Sequence, residues 1–164
     1  MAAESTERPE ERSDVGRKSV PTRSVLIVTG AHLSAEVYDR PIAYRLRERI
    51  LAALGWSNND SPPPNQDGHP PDRVLVCSDL WYLNRDQLRE LPTISVGGPT
   101  VNALSAYLGD KLPSAFAIDG VLLVQADWSN ETPVACCWGI NAQATAKAAE
   151  IFVERYMDEW VEAL

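Results

Sequence analysis

The sequence predicts a three-layer α/β fold, Rossmann-like or flavodoxin-like, whose mixed sheet is mostly parallel and ends in an antiparallel hairpin. Three observations predict it. Apolar, β-branched runs at 24–29, 73–77 and 93–96 show no polar alternation, the pattern of strands covered on both faces. Each run ends on residues that turn or cap a chain: Gly30, the pair Ser78 and Asp79, and the pair Gly97 and Gly98. A later pair of runs, 121–126 and 134–138, is separated by a link too short for a crossover helix, so these two strands are antiparallel.

The elements follow in order. Residues 1–22 mix Glu, Arg, Ser and Pro with few apolar side chains and are expected to form a disordered tail, leaving one domain over 23–164. The run at 24–29 is expected to be the central strand. Asp39 then caps a helix whose early turn holds Pro41, whose buried side carries Ile42, Leu46, Ile50 and Leu54, and which stops at Gly55. Residues 56–72 are rich in Pro, Asn and Asp and read as an exposed loop. The strand at 73–77 is followed by a short helical piece at 86–91 and the strand at 93–96. Pro99 suits the first turn of the next helix, which continues through Val101, Leu104, Ser105, Tyr107 and Leu108. After the hairpin, a last helix starts near Asn141 and runs to the end. It puts Ala148, Ala149, Phe152, Tyr156 and Trp160 on a buried stripe and Glu150, Glu154, Asp158 and Glu162 on a solvated one.

Charge narrows the functional classes. The chain of 164 residues carries a formal charge of -8, and all of that excess lies beyond residue 23, where 18 acidic side chains face 10 basic ones. Such a surface repels a phosphate backbone, and Arg40, Arg45, Arg47 and Arg49 are scattered around one helix instead of forming a track, so no nucleic-acid partner is expected. No run approaches the ~20 apolar residues that span a bilayer, and the start lacks the apolar core of a secretion signal, so no membrane partner and a cytoplasmic location are expected. Cys77, Cys136 and Cys137 lie in strands without metal or redox spacing, as small buried side chains of a reducing compartment; a catalytic thiol is the alternative. Cys136 and Cys137 are neighbours and point to opposite faces of their strand.

Parallel strands end on one edge of a sheet, so the residues that follow them converge. That edge is expected to gather Gly30, Ala31 and His32, then Ser78 and Asp79, then Gly97, Gly98 and Asn102. If the final strand runs the same way, Gly139, Asn141 and Thr145 join them. His32 with Asp79 is a candidate acid–base pair, set against a structural hydrogen-bonding role for His32 and a capping role for Asp79. Asp39, with Tyr38 and Arg40, is within reach of the same edge, but capping explains Asp39 fully. The Gly97-Gly98-Pro99 turn lacks the third glycine of a dinucleotide fingerprint and the Gly-Lys-Ser/Thr ending of a P-loop, yet its backbone can still receive an anion. No zinc spacing and no nucleophile elbow occurs.

Two segments, Gly97-Gly98-Pro99 with Asn102, and GINAQATAKAA from Gly139 to Ala149, resemble parts of archaeal surface-layer proteins. The resemblance covers roughly twenty residues. It implies an α/β module in which Gly97, Gly98, Asn102 and Thr145 maintain two facing helix starts, with Asn102 hydrogen-bonding across to the turn near Gly139. It implies architecture, and no activity is carried over. The chain departs from that family in lacking an export signal, a membrane anchor and the length of a lattice-forming subunit.

Two functions compete. One is binding of a nucleotide-like or other anionic small molecule at the carboxyl edge, with the cofactor unidentified and catalysis left open; nucleoside chemistry at a glycosidic bond would draw on Asp79 or Asp39. The other is a non-catalytic interaction or structural module, favoured by five tryptophans, which includes self-association through the hairpin edge.

Overall fold

The computed structural model describes residues 24–56, 73–129 and 132–164, so the expected tail at 1–22 and all but the first residue of the loop at 56–72 lie outside the described residues. Among the described residues six strands form one mixed sheet: β1 (Ser24–Thr29), β2 (Arg73–Ser78), β3 (Thr93–Val96), β4 (Ser114–Ile118), β5 (Leu122–Asp127) and β6 (Val134–Gly139), in the order β2-β1-β3-β6-β5-β4. β2, β1, β3 and β6 are mutually parallel, while β5 runs antiparallel to both β6 and β4. The β2-β1-β3 portion is the flavodoxin-like order, with the chain stepping first to one side of β1 and then to the other.

The helices cover both faces of β1 and β3, as their unalternating runs require, but β2 lies at the sheet edge with Leu75 exposed and is not the doubly covered strand that its apolar run suggests. Along β1, Val25 and Ile27 enter a larger core layer with α1 (Leu33–Leu54), α4 (Ala142–Arg155) and α5 (Met157–Glu162). Leu26 and Val28 enter the opposite layer with α2 (Asp79–Leu83) and α3 (Ala103–Leu108). Cys137 lies in the first layer and Cys136 in the second, as neighbouring strand residues must. The aromatic stripe of the last helix is core: Phe152 and Trp160 meet edge-to-face at 6.2 Å and both are fully buried, whereas Glu150, Glu154, Asp158 and Glu162 face solvent. Among the described residues no helix is long and apolar enough to cross a membrane.

Several expectations need correcting. α1 begins at Leu33, six residues before Asp39, because His32 is the N-cap and its ring accepts from the Ser34 amide. Pro41 therefore sits inside the helix, and Asp39 caps nothing. Pro99 precedes α3, standing in a turn in which the amides of Val101 and Asn102 donate to the Gly98 carbonyl; Asn102 is the N-cap. Asp79 opens α2, a short helix the sequence reading omits, and residues Asp86–Glu90 form a 3-10 turn. The last helix breaks at Tyr156, separating α4 from α5. β4 was also missing from the expected strands, although Asp119-Gly120, between the apolar runs of β4 and β5, is a hairpin turn signal and Gly120 has φ +66°.

The carboxyl end of β1 is packed closely against the turn before α3. A Cβ on Gly30 would lie 1.7 Å from the backbone oxygen of Val101. A backbone atom cannot swing aside as a side chain can, so Gly30→Ala forces the two loops apart and is expected to cost at least ~3 kcal/mol. Urea unfolding of the two proteins checks this; an unchanged midpoint would mean that these loops do not meet as described.

Candidate functional site

Four parallel strands deliver their carboxyl ends to one edge of the sheet, so the residues expected to converge there do share it. They do not share a task. Asp79 is almost fully buried, and one carboxylate oxygen accepts from the amides of Ala31 (2.8 Å) and Leu80 (2.7 Å) while the other accepts from Ala103 (2.7 Å). Three loops are thereby tied to a single side chain. Ser78, the N-cap of α2, accepts from the Trp81 amide at 3.3 Å.

Asn102 is equally committed. Its side-chain amide donates to the Val28 carbonyl, the Ser95 hydroxyl and the Val96 carbonyl, and its oxygen receives the amides of Leu104 and Ser105. The expected reach of Asn102 to the Gly139 turn is absent, because all of its hydrogen-bonding capacity is spent on β1, β3 and its own helix. Thr145 serves Gly139 instead, its hydroxyl accepting from the Gly139 amide at 3.1 Å. Asn141 caps α4 by accepting from Ala144 at 2.9 Å. His32 is exposed, and its Nδ1 is occupied by the Ser34 hydroxyl and amide. The His32–Asp79 acid–base pair does not form, since the Asp79 oxygens are taken up by backbone amides.

The thiols offer no nucleophile. Burial pushes Cys77 and Cys136 up to about 11 and Cys137 well above its ordinary value, so all three remain protonated near neutral pH.

One place on the edge is different. α1 leaves β1 across one face of the sheet and returns to β2, whereas α3 follows β3 on the opposite face and leads toward the antiparallel end. Neighbouring strands whose chains depart in opposite directions leave a crevice between their carboxyl ends, where open α/β sheets bind ligands. The side of this crevice toward α3 is filled by Asp79, Asn102 and the contact between Gly30 and Val101. On the side toward α1, Asp39 faces Gly97.

Asp39 is 6 % exposed, and among the described residues no hydrogen bond or ion pair reaches its carboxyl group. The approach to Gly97 depends on glycine twice over. Gly97 has φ +109°, and a Cβ there would come within 2.5 Å of Asp39 Oδ2. Beside them Gly98 stands close to the Gly139 carbonyl at the end of β6. The hydroxyl of Thr29, the last residue of β1, is fully buried and has no partner among the described residues. Thr29 shares the strand face of Val25 and Ile27, the face that α1 covers.

Burial raises the Asp39 carboxyl from 3.8 to about 6, and no charged neighbour contributes. The nearest charges on its own helix, Glu36 and Arg40, are paired with each other at 2.6 Å. An acid with that value changes protonation just below neutral pH, where general acid–base groups operate. Sequence reasoning assigned Asp39 to a cap because a helix entering at Pro41 explained it; nothing local announces that Gly97 will lie opposite.

A separate groove of about 450 Å³ runs between α1 and α4, floored by Ile42, Leu46 and Ala149 and walled by Arg45, Arg49, Glu150 and Glu154. It lies outside the expected site. Among the described residues no group of His, Cys, Asp and Glu has the arrangement of a metal centre. No protein-family model matches the chain, and no curated protein is significantly similar to it.

The sign of the Asp39 shift fixes a stability prediction. The folded protein holds this proton to about pH 6 and the unfolded chain releases it near 3.8, so folding is fully favoured below that lower value and loses stability as pH rises through the window. Asp39→Asn removes the dependence. It is expected to be about 1–2 kcal/mol more stable than the parent at pH 7.5, solvent reaching the carboxyl reducing the full linkage value, with the difference gone by pH 4. Chemical denaturation at both pH values checks this, and a gap independent of pH would mean that the carboxyl is not desolvated.

Proposed function

We propose that the protein binds a small molecule in the crevice between the carboxyl ends of β1 and β3, on the side covered by α1. A nucleotide-like molecule is the fullest match, with hydroxyl or amino groups on Asp39 and an anionic group against the neighbouring helix starts. One observation carries this reading: the carboxyl group of the largely buried Asp39, which has no partner among the described residues, at the topological switch point of the sheet. A scaffold gains nothing from such a group, whose charged form costs stability that the other polar residues of the edge avoid by pairing. The cytoplasm is the proposed setting, in keeping with three free cysteines. Whether the ligand is only held or also transformed rests on the same carboxyl, which has the acidity of a general acid or base.

A second reading is supported by a different feature of the same edge. Leu33 of α1, Leu80 and Trp81 of α2, and Ile140 ahead of α4 are exposed and lie close after the carboxyl ends of parallel strands, with Val37 and Tyr38 exposed a turn further along α1. Apolar side chains gathered at one edge favour contact with another protein. They also suit the apolar lining of a small-molecule site.

The test is a thermal-shift panel of nucleosides and nucleotides on the full chain, followed by amide chemical-shift mapping of any stabilising compound. A rise of at least ~2 °C with the largest perturbations at Gly97, Gly98 and Asp39 is expected. A flat panel, or perturbations confined to the α1–α4 groove, would overturn the proposed site.

A further inference from the structure

Resting on that binding reading, we propose that the Asp39 carboxyl is the acceptor for a hydrogen-bond-donating group of the bound molecule, a sugar hydroxyl or an ammonium. The polar groups of the edge differ in how their hydrogen bonds are satisfied. Asp79 receives three amides, Asn102 exchanges bonds with five groups, Ser78, His32 and Asn141 cap helices, and Thr145 holds Gly139. Asp39 alone among these has no donor to either oxygen among the described residues, although the residue is only 6 % exposed. Gly97, at φ +109°, approaches the Asp39 carboxyl so closely that a Cβ there would come within 2.5 Å of Oδ2, and it offers that carboxyl no side-chain donor. The second unpartnered group, the Thr29 hydroxyl, ends the neighbouring strand on the same face.

An anion is the wrong occupant for this end of the crevice. A carboxylate attracts donors and cations and repels a phosphate, and the other acid of the edge, Asp79, adds to that repulsion. A hydroxyl or ammonium placed on Asp39 supplies the missing bond and stabilises the ionised form, so binding is coupled to release of the proton. The groups around Asp39 leave this coupling to the ligand. Glu36 and Arg40 of α1 neutralise each other, Asp79 is held by amides, the Cys77 thiol of β2 stays protonated, and the ends of β3 and β6 offer only Gly97, Gly98 and Gly139. Since free Asp39 releases its proton at about pH 6, affinity is full above that pH and falls below it.

Isothermal titration of the full chain with adenosine and with putrescine tests the proposal, because neither probe changes charge between pH 5 and 7. Inorganic phosphate serves as the anion without a sugar or an amine. The expected result is binding of adenosine or putrescine that weakens about tenfold from pH 7 to pH 5. In Asp39→Asn, which is isosteric and expected to fold at least as well, binding at pH 7 should be at least ~10-fold weaker and independent of pH. Binding of adenosine identifies the donor as a hydroxyl, and binding of putrescine identifies it as an ammonium. Binding that is pH-independent in the parent, or unchanged in Asp39→Asn, overturns the acceptor role while leaving the crevice as the site. Tight phosphate binding mapped to Gly97 and Gly98, with neither donor probe bound, overturns the acceptor role in favour of an anion site. Failure of every probe, together with a flat nucleoside and nucleotide panel, overturns both readings.

Discussion

The carboxylate of Asp79 organises the edge on which everything else is built. Parallel strands bring their ends together only roughly; what fixes the loops relative to one another is a buried charge receiving amides from the β1 loop, from the start of α2 and from the start of α3. Such charge-assisted bonds are among the stronger ones available to a protein, and here one side chain serves segments 48 and 24 residues away. Asn102 acts similarly one layer deeper, joining β1 to β3 beneath α3. With that side of the switch point fastened by Asp79 and Asn102, the side toward α1 is left to Asp39, whose carboxyl lies against Gly97.

The contrast between Asp79 and Asp39 shows how two identical side chains on one edge come to opposite ends. Three amides make ionised Asp79 a structural element. Asp39 projects from the middle of a helical turn, where the backbone amides of its own helix are already engaged, toward a glycine that presents no side chain. It is therefore left with the desolvation cost and none of the compensation. A protein that retains such a group forgoes stability at neutral pH, and sites that engage ligands commonly show that exchange.

Much of the fold was legible in the residues. The unalternating runs of β1 and β3 are doubly covered strands, whereas β2, equally unalternating, lies at the sheet edge with Leu75 exposed; Gly55 ends α1 with φ +66° as a left-handed cap, and the short link after β5 forced an antiparallel pair. The missed features have particular causes. Pro41 looks like a first-turn proline, yet α1 accommodates it internally because the helix is held along its length by packing, and this hid the true cap at His32. β4 was overlooked although Asp119-Gly120 marks its turn, because Ser114–Ile118 is short and follows a proline. At the site, convergence of the strand ends followed from topology alone. The division of labour among the convergent residues did not, since it depends on which loop amides lie within hydrogen-bonding distance. That is set by tertiary packing and by the left-handed conformation of Gly97.

The break in the C-terminal helix at Tyr156 has a consequence at the far margin of the sheet. The pairing of β4 with β5 slips between Ser114 and Phe116, which leaves Ala115 out of register, and the Tyr156 hydroxyl donates to the Ala115 carbonyl at 2.9 Å. Arg155 lies over the Phe116 ring, 4.9 Å from its centre. β4 has no charged residue of its own to deter an incoming strand. A kink, a phenol and a guanidinium from a distant helix do that work instead, so any chain seeking to extend the sheet there must first dislodge the end of α4.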